Sequence, residues 1–421
     1  FSGQWGEAGV PFIDRNWRSQ APPLRHVKPF DGMRCVGAIG VMVGHSSWGY
    51  LHGFNAFVDM FLVVSGLLIT SMLLQEHRES GTIGLRRFYS RRLMRLVPTV
   101  WFVVGFFVVL GLVLKATALL SEFEVQQLLN ESLPGVTYTY NIAYPHFGGT
   151  WFAPLWTVSL EEQFYLVIGV SLLVCVKKGW IRAFAAALAV VVVLIQYSRW
   201  TFNPGPLPDG LALAIWLQRP DSLMIGVLAA IASAEIKTIP GWLRRTGSVM
   251  CVIAGCVLVL TILSATEVAE HWMPWMFSQW SPAELDIARA RGFYWMNWGY
   301  TVSAYAIAII AFAAFRFDDW KPTRFLSWTP MVWFGACLSY VIYVVHFPIQ
   351  HLVKLWFTDG SGEKLVTLPY WAIIALQLVL PVLAAVPIYR YVERSALRWK
   401  LRRAAVEPIG RSRVVTPTRQ Q

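Results

Sequence analysis

The feature that most limits how this chain can fold is a succession of long apolar runs. Stretches such as WFVVGFFVVLGLVL and AFAAALAVVVVLIQY contain no charged residue and approach the length needed to cross a lipid bilayer. Charged residues make up 14% of the 421, whereas about a quarter is usual in soluble proteins. These runs predict an all-α, polytopic membrane protein and exclude a soluble globular enzyme.

Ten segments are predicted to be transmembrane helices. They are residues 35–51, 54–75, 97–117, 154–176, 181–197, 220–236, 247–264, 297–315, 331–353 and 368–389. When the N-terminus is placed in the cytoplasm, most of the 36 Lys and Arg residues fall on the inner side of the membrane. Both termini are therefore expected to be cytoplasmic. The net charge of +12 indicates contact with membrane lipid headgroups rather than with nucleic acid.

The segments at the two ends of the chain differ from the spans in composition. Residues 1–28 are polar and lack the apolar core of a signal peptide, which predicts a cytoplasmic N-terminal arm. Residues 404–421 predict a disordered cytoplasmic tail, so the membrane domain is expected to cover residues 29–403. The five cysteines lie in apolar segments without a CxxC pair, and no metal site is predicted.

The segment RCVGAIGVMVGH places an arginine and a histidine at the two ends of one apolar run. Arg34 and His45 are eleven residues apart, so on an α-helix their side chains share one face, roughly 16 Å apart along the axis. In the predicted orientation Arg34 lies near the inner face of the membrane, and His45 lies near the outer end of the first span.

Other polar residues in and beside the spans fall into the same two layers. Arg92 and Arg95, at i and i+3 in RRLMRLVP, join Arg34 in an inner group of guanidinium donors suited to phosphate. The outer layer contains ionisable and hydroxyl side chains: Asp59, Glu161, Glu162, Arg219, Asp221, Ser339, Tyr343 and His346. This arrangement indicates an elongated donor with a phosphorylated head inside and a reactive end near the outer leaflet, a description that acyl-CoA fits.

Seven motifs, in this order, resemble those of the acyltransferase-3 family of integral membrane O-acyltransferases. They are DGMRCVGAIGVMVGH, VDMFLVVSGLLIT, RRLMRLVP, LWTVSLEEQFYL, RPDSLMIGVLAA, LSYVIYVVHFPI and YVERSALRW, within residues 29–398. The first holds the family's arginine–ten residues–histidine signature at Arg34 and His45, and the third holds its RxxR pair at Arg92 and Arg95.

The resemblance implies a multi-pass protein of the inner (plasma) membrane that moves an acyl group, often acetyl, from cytoplasmic acyl-CoA. The implied acceptor is a hydroxyl of a cell-envelope glycan or glycolipid, and the donor is acyl-CoA such as acetyl-CoA rather than a permanently bound cofactor. Some relatives carry an additional extracytoplasmic SGNH-type hydrolase domain that completes the transfer. The tail after the last span is short here, which predicts direct transfer or a separate extracytoplasmic partner protein.

Within that expectation, His45 is the predicted general base that takes the proton from the acceptor hydroxyl. A covalent acyl-histidine and a plain helix-capping role stay open. Arg34, Arg92 and Arg95 are predicted to hold donor phosphates, the alternative being anchors that follow the positive-inside rule. The anchor interpretation is preferred for Arg86, Arg87 and Arg91.

Glu161 is the second predicted catalytic residue. Glu161 or Glu162 could orient His45 or pair with an arginine, but adjacent helical positions point 100° apart, so only one of the two is expected to face the site. Supporting roles in the site are predicted for Asp59, Glu162, Tyr340, His346, Arg219 and Asp221. For each of them a purely structural role is the alternative. Asp221 could simply cap its helix, and the tryptophans of HWMPWMFSQWSPAELD either bind the acceptor or form an interfacial belt.

Two other classes of function fit part of the pattern. A transporter or flippase for an envelope lipid or sugar would also have many spans with buried ions, but the halves of this chain show no convincing repeat. A regulatory or scaffolding descendant of such enzymes is the third alternative. The presence of His45 together with both arginine motifs favours an enzyme.

Overall fold

A computed structural model describes residues 12–24, 26–46, 52–145, 149–201, 211–264, 298–317, 321–357 and 368–396. Every regular element in these residues is helical. The predicted tail, 404–421, and the tryptophan-rich segment HWMPWMFSQWSPAELD lie outside the described residues.

The helices follow one another in chain order with short connections in the first half. They are α1 Lys28–Ser46, α2 Ala56–Ser80, α3 Leu85–Ala116, α4 Glu122–Val136, α5 Tyr140–Ala143, α6 Leu155–Lys178 and α7 Ile181–Trp200. The second half contains α8 Leu211–Gln218, α9 Pro220–Glu235, α10 Gly241–Ser264, α11 Tyr300–Arg316, α12 Lys321–Leu326, α13 Thr329–Cys337, α14 Ser339–Phe357 and α15 Tyr370–Ile388. A 3₁₀ turn, His52–Asn55, precedes α2, and a π turn, Tyr389–Glu393, continues α15.

Six of the described helices are long and apolar enough to cross a membrane: α2, α3, α6, α7, α10 and α15. The helices α13 and α14 are bent by 65° and form a seventh span if they are counted together. The chain is therefore a multi-pass membrane protein, as predicted. The predicted total of ten spans is not confirmed, because α9 and α11 have 16 and 17 residues and α1 carries charges in its first half.

Two helices extend further towards the arginine-rich side than the apolar pattern predicted. The helix α1 begins at Lys28 rather than at residue 35, and α3 begins at Leu85 rather than at residue 97. Both extensions contain charged residues, which end an apolar run but do not end a helix. The arginines of both motifs therefore lie on helices, with fixed spacing to the spans that follow.

The helix α2 is central, because it packs against α1, α6, α9 and α11. Its closest approach is to α9, at Gly66 and Gly226. A Cβ at Gly66 would lie 2.2 Å from the carbonyl oxygen of Leu223, and one at Gly226 would lie 2.2 Å from that of Val63. A pair of small residues thus lets two membrane helices pack backbone to backbone.

The described part of the N-terminal arm packs against one end of the helical bundle. Trp17 is buried, and its indole Nε1 donates to Glu235 Oε1 at 2.7 Å. The backbone N–H of Leu24 donates to Gln75 Oε1 at 2.5 Å, near the inner end of α2 as the sequence orients it. The arm therefore borders the same end of the bundle as the arginines of α3.

Candidate active site

A cavity of about 560 Å³ lies between α1, α2, α3, α6 and α14. Its wall on α2 runs from Glu79 to Val58, a rise of about 32 Å for 21 residues of α-helix. The uncharged end is lined by Val58, Phe61, Thr157, Val158 and Tyr343. The cavity is therefore long and narrow, and its two ends differ in charge.

Five arginines line the other end of the cavity together with Glu76 and Glu79 of α2: Arg34 on α1 and Arg87, Arg91, Arg92 and Arg95 on α3. The structure thus brings together the three arginines that the sequence grouped from two separate motifs. Arg87 and Arg91 also line the cavity, although the sequence favoured a role as membrane anchors for both. These two share a helix face with Arg95, because the three residues lie at i, i+4 and i+8.

Three of the cavity arginines, Arg34, Arg92 and Arg95, have carboxylate partners, and the pairs of Arg92 and Arg95 are loose. Arg34 Nη1 donates to Asp31 Oδ1 at 3.1 Å, one turn earlier on α1. Arg95 Nε is 3.8 Å from Glu393 Oε1 of the π turn, which is beyond hydrogen-bonding distance. Each guanidinium offers five N–H donors, so most of them are left for an anion in the cavity.

Glu161 and Glu162 point to different sides of α6, as their 100° offset predicts. Glu161 lines the cavity, where its carboxylate accepts from the Tyr165 hydroxyl at 2.7 Å and from the Ser65 hydroxyl at 3.4 Å. Glu162 Oε1 is 3.6 Å from Arg92 Nη1. The Arg92 guanidinium carbon lies 3.6 Å from the centre of the Tyr165 ring, in a cation–π contact.

His45 forms a hydrogen bond with a second histidine, whereas the sequence offered Glu161 or Glu162 to orient it or to pair with an arginine. His346 Nδ1 lies 3.0 Å from the carbonyl oxygen of Ile342 and 2.9 Å from that of Tyr343. Carbonyls only accept, so His346 Nδ1 carries the proton and its Nε2 accepts from His45 Nδ1, 3.0 Å away. Among the described residues no hydrogen bond reaches His45 Nε2, so its lone pair is available, the state that a general base requires.

Neither histidine of the pair, His45 or His346, lines the cavity. Tyr343 lines the cavity, and its ring centre lies 5.8 Å from that of His346, one turn further along α14. The Tyr343 hydroxyl is 2.5 Å from the Thr157 hydroxyl, and its ring packs edge-on against Phe61 at 5.6 Å. These three side chains, Phe61, Thr157 and Tyr343, form a septum between the cavity and His45.

The predicted supporting residues on α2 and α9 form buried ion pairs away from the cavity. Asp59 Oδ2 is 3.1 Å from Arg219 Nη1, and its Oδ1 accepts from Ser222 at 2.9 Å. Asp221, for which the sequence left a helix-capping role open as the alternative, pairs with Arg199 of α7. These four charged side chains are at most 3% exposed and connect α2, α7 and α9. Their burial and pairing favour a structural role over a supporting role in the site.

Tyr340 does lie on the cavity wall. Its hydroxyl donates to the carbonyl oxygen of Leu96 at 3.1 Å. That carbonyl belongs to α3, one residue after Arg95, so Tyr340 ties the arginine-bearing helix to α14. Its role in this position is to hold the cavity wall together.

Sequence analysis missed Glu131 of α4, which is fully buried. Its carboxylate accepts from the backbone N–H groups of Trp151 and Phe152 at 3.0 and 2.7 Å and from the Tyr140 hydroxyl at 2.7 Å. Burial, together with that carboxylate, raises the pKa of the Tyr140 phenol, which stays a donor. Glu131 thus fixes the segment before α6 and hence Thr157. The sequence could not indicate this, because an acidic residue in a predicted loop is expected to be exposed.

The family model described as an acyltransferase domain, that of the acyltransferase-3 family, matches residues 28–390. The chain belongs to the acyltransferase-3 family. The family predicted from the seven motifs is therefore confirmed.

Two of the relatives that this chain resembles are proteins of Staphylococcus aureus. The protein named "Putative O-acetyltransferase SACOL0978" of strain COL is 26% identical over 396 residues, which cover 90% of this chain and 59% of the relative. The "O-acetyltransferase OatA" of strain NCTC 8325 is 25% identical over 385 residues, covering 88% and 57%. The chain thus spans less than three fifths of the length of either relative. No solved structure matches this chain.

Proposed function

We propose that this member of the acyltransferase-3 family is a membrane O-acyltransferase that moves an acyl group, acetyl in the first instance, from acyl-CoA to a hydroxyl acceptor. The observation that carries the proposal is a long cavity with arginines at one end and, beyond its other end, a histidine whose Nε2 is free to accept a proton. The O-acetyltransferase names of the relatives support the same reaction class.

The shape of the cavity favours acyl-CoA as the donor. The arginine end suits the phosphates of the nucleotide, because guanidinium groups bind phosphate oxygens in pairs. The uncharged end can take the pantetheine arm and a short acyl group, since it is lined by Val58, Phe61 and Val158. Acyl-CoA is in this proposal a substrate, and the site needs no permanently bound cofactor.

The orientation in the membrane follows from the Lys and Arg distribution along the chain. With the arginine end of the cavity and both termini in the cytoplasm, α1, α9, α11 and the bent α13–α14 pair would bring the six long spans to ten. The donor then enters from the cytoplasm of the inner (plasma) membrane, and His45 lies towards the outer leaflet. The acceptor is a hydroxyl of an envelope glycan or glycolipid.

The reaction follows from the tautomers of the histidine pair. His45 Nε2 takes the acceptor's hydroxyl proton while the oxygen attacks the thioester carbonyl, an ester C–O bond forms, and the C–S bond breaks. The proton passes from His45 to the leaving CoA thiolate. His346 accepts from His45 Nδ1 throughout and stabilises the imidazolium, as a carboxylate does in a hydrolase triad. Glu161 lies on the donor side in this scheme, among the arginines.

The proposal is tested with purified protein in nanodiscs and acetyl-CoA radiolabelled on the acyl group. Native protein should transfer label to an envelope lipid extract. His45→Gln should retain donor binding and lose transfer by about 10²–10⁴-fold, the usual contribution of a general base. His346→Gln should lose less, because the base remains but its tautomer is no longer fixed.

The matched control is His351→Gln. His351 lies on α14 like His346, and its Nε2 is 2.9 Å from Glu124 Oε2 rather than beside His45. Its replacement should leave transfer close to native. If native protein neither binds acetyl-CoA nor breaks the thioester, the acyltransferase proposal is wrong, and a transport assay of envelope lipid is the next experiment.

A further inference from the structure

We propose that Tyr343, held by Thr157, is a positioning residue that decides whether the acyl end of the donor reaches His45 or stays in the cavity. This inference rests on the proposed function and extends it. In the structure the septum of Phe61, Thr157 and Tyr343 closes the cavity one helical turn before the histidine pair. A thioester loaded from the arginine end must therefore pass Tyr343 before it can meet its base.

The helix α1 shows where the barrier lies. Gly37 is between Arg34 and His45 along this helix, and a Cβ there would come within 2.9 Å of Phe61 Cε2. The Phe61 ring is thus pressed against the α1 backbone between the arginine and the histidine. Its edge-on contact with Tyr343, with ring centres 5.6 Å apart, extends the barrier towards α14.

One hydrogen bond holds the other side of the barrier. The Thr157 hydroxyl donates its single proton to the carbonyl oxygen of Pro154 at 3.0 Å. Tyr343 is therefore the donor in the 2.5 Å bond between the two hydroxyls. This leaves Tyr343 held on α6 by one bond, which a rotation of its side chain breaks without disturbing a helix.

The two sides of the septum differ in what reaches them. His45 is partly exposed but does not line the cavity, so its exposure is not to the donor space. A base open to solvent beside a thioester would hydrolyse it. A closed septum keeps the loaded donor away from His45 until Tyr343 moves, and this couples thioester cleavage to the presence of an acceptor.

The first test measures how acetyl-CoA turnover divides between transfer and hydrolysis. Tyr343→Phe keeps the ring and removes the donor, and Thr157→Val keeps the shape and removes the acceptor. For both we expect the donor KM to stay near native and the ratio of hydrolysis to transfer to rise by at least fivefold. Thr157→Ser, which keeps a hydroxyl, should recover most of the native ratio.

A phenol between two other helices provides the control. Tyr305→Phe removes the 3.1 Å hydrogen bond that its hydroxyl donates to Gln196 Oε1 of α7, and because neither residue lines the cavity the ratio should stay native even if stability falls. An unchanged ratio in both Tyr343→Phe and Thr157→Val overturns the inference. So does a rise of the same size in Tyr305→Phe, because it would reflect general loosening.

The second test does not need acyl transfer. His45→Cys is introduced into a chain whose five native cysteines are replaced, and an anionic, membrane-impermeant thiol reagent is applied to vesicles from the arginine side. Labelling at position 45 should be at least tenfold faster when Tyr343→Ala is added. A reporter at the cavity wall, Ser65→Cys, should be labelled at the same rate in both backgrounds.

The two tests separate failure of the inference from failure of the proposed function. Gated labelling at position 45 without any turnover of acetyl-CoA would leave the septum in place and overturn the acyltransferase proposal. The opposite result is that native protein transfers acetyl while neither the labelling rate at position 45 nor the ratio of hydrolysis to transfer depends on Tyr343. That result would overturn the septum and leave the acyltransferase proposal standing.

Discussion

Arginines occur in two regions of this membrane protein, and their surroundings differ. Arg199 and Arg219 have side chains 0% and 3% exposed and face Asp221 and Asp59. The cavity arginines Arg34, Arg92 and Arg95 are 19%, 21% and 43% exposed, with carboxylates at 3.1, 3.6 and 3.8 Å. The first region is closed and connects helices, whereas the second is open and has donors to spare.

An intramembrane arginine is therefore not by itself evidence of a ligand site. A buried charge must be paired, and a tight pair consumes the donors that a ligand would need. A loosely paired arginine on a cavity wall can exchange its carboxylate for phosphate at small cost. Substitutions in the closed region should therefore change stability, and substitutions in the open region should change donor binding.

The largest effect is expected in the closed region. Arg199→Leu leaves the Asp221 carboxylate buried without its partner and should lower the free energy of unfolding by about 3–5 kcal/mol. Unfolding in nanodiscs, followed by helical circular dichroism, measures the loss. The double variant Arg199→Leu/Asp221→Leu removes both charges and should be clearly more stable than the single one; equal instability would mean that the pair is not what holds these helices.

Arg92→Gln should act on binding rather than on stability. Loss of hydrogen bonds to a charged phosphate is worth about 1.5–3 kcal/mol, so the acetyl-CoA Kd should rise about 10–100-fold. Titration calorimetry in nanodiscs measures the change, with little shift expected in the melting temperature. Arg86→Gln is the matched control, since Arg86 lies on the same helix but does not line the cavity; equal losses in both would refute the site.

Glu162→Gln should tighten donor binding. Its carboxylate lies 3.6 Å from Arg92 and competes with phosphate for that guanidinium. A partly exposed pair of this kind is worth about 0.5–1 kcal/mol, so the Kd should fall about two- to fivefold. Glu122→Gln, which removes the pair with Lys115 at 2.5 Å on the surface, should leave the Kd unchanged. Weaker binding in Glu162→Gln would contradict the competition.

The smallest effect should come from salt. Raising the ionic strength from about 0.05 M to about 0.5 M shortens the Debye length severalfold and should weaken acetyl-CoA binding a few-fold. The stability difference between native protein and Arg199→Leu should not move over the same range, because that pair is shielded from ions. Equal salt dependence of both quantities would remove the distinction between the two regions.

Local features of the site were accessible from the sequence. The eleven-residue spacing put Arg34 and His45 on one helix face, and the structure has both on α1. The 100° offset predicted that only one of Glu161 and Glu162 would face the cavity, and Glu161 does. These predictions succeed because helical periodicity is set by neighbours in the chain.

The partners of these residues were not accessible. His346 lies 301 residues from His45, and the sequence offered two carboxylates as alternative partners. For Asp221 the sequence offered a supporting role or a helix cap, and it gave no sign of the pair with Arg199. Packing contacts such as that between Gly66 and Gly226 decide which helices meet and how they are rotated. The sequence of a single helix does not specify these contacts.

By itself the sequence determined a multi-pass helical membrane protein of the acyltransferase-3 family, with arginine and histidine motifs on fixed helix faces. The fold class and the helix faces were accessible because apolar length and residue spacing are local properties, and the family was accessible because the motifs resemble those of its members. Only the tertiary structure decided that His45 pairs with His346, that Asp59 pairs with Arg219, and that Tyr343 lies between the cavity and the histidine pair. Those outcomes depend on side chains from distant segments meeting at hydrogen-bonding distance, which packing alone sets.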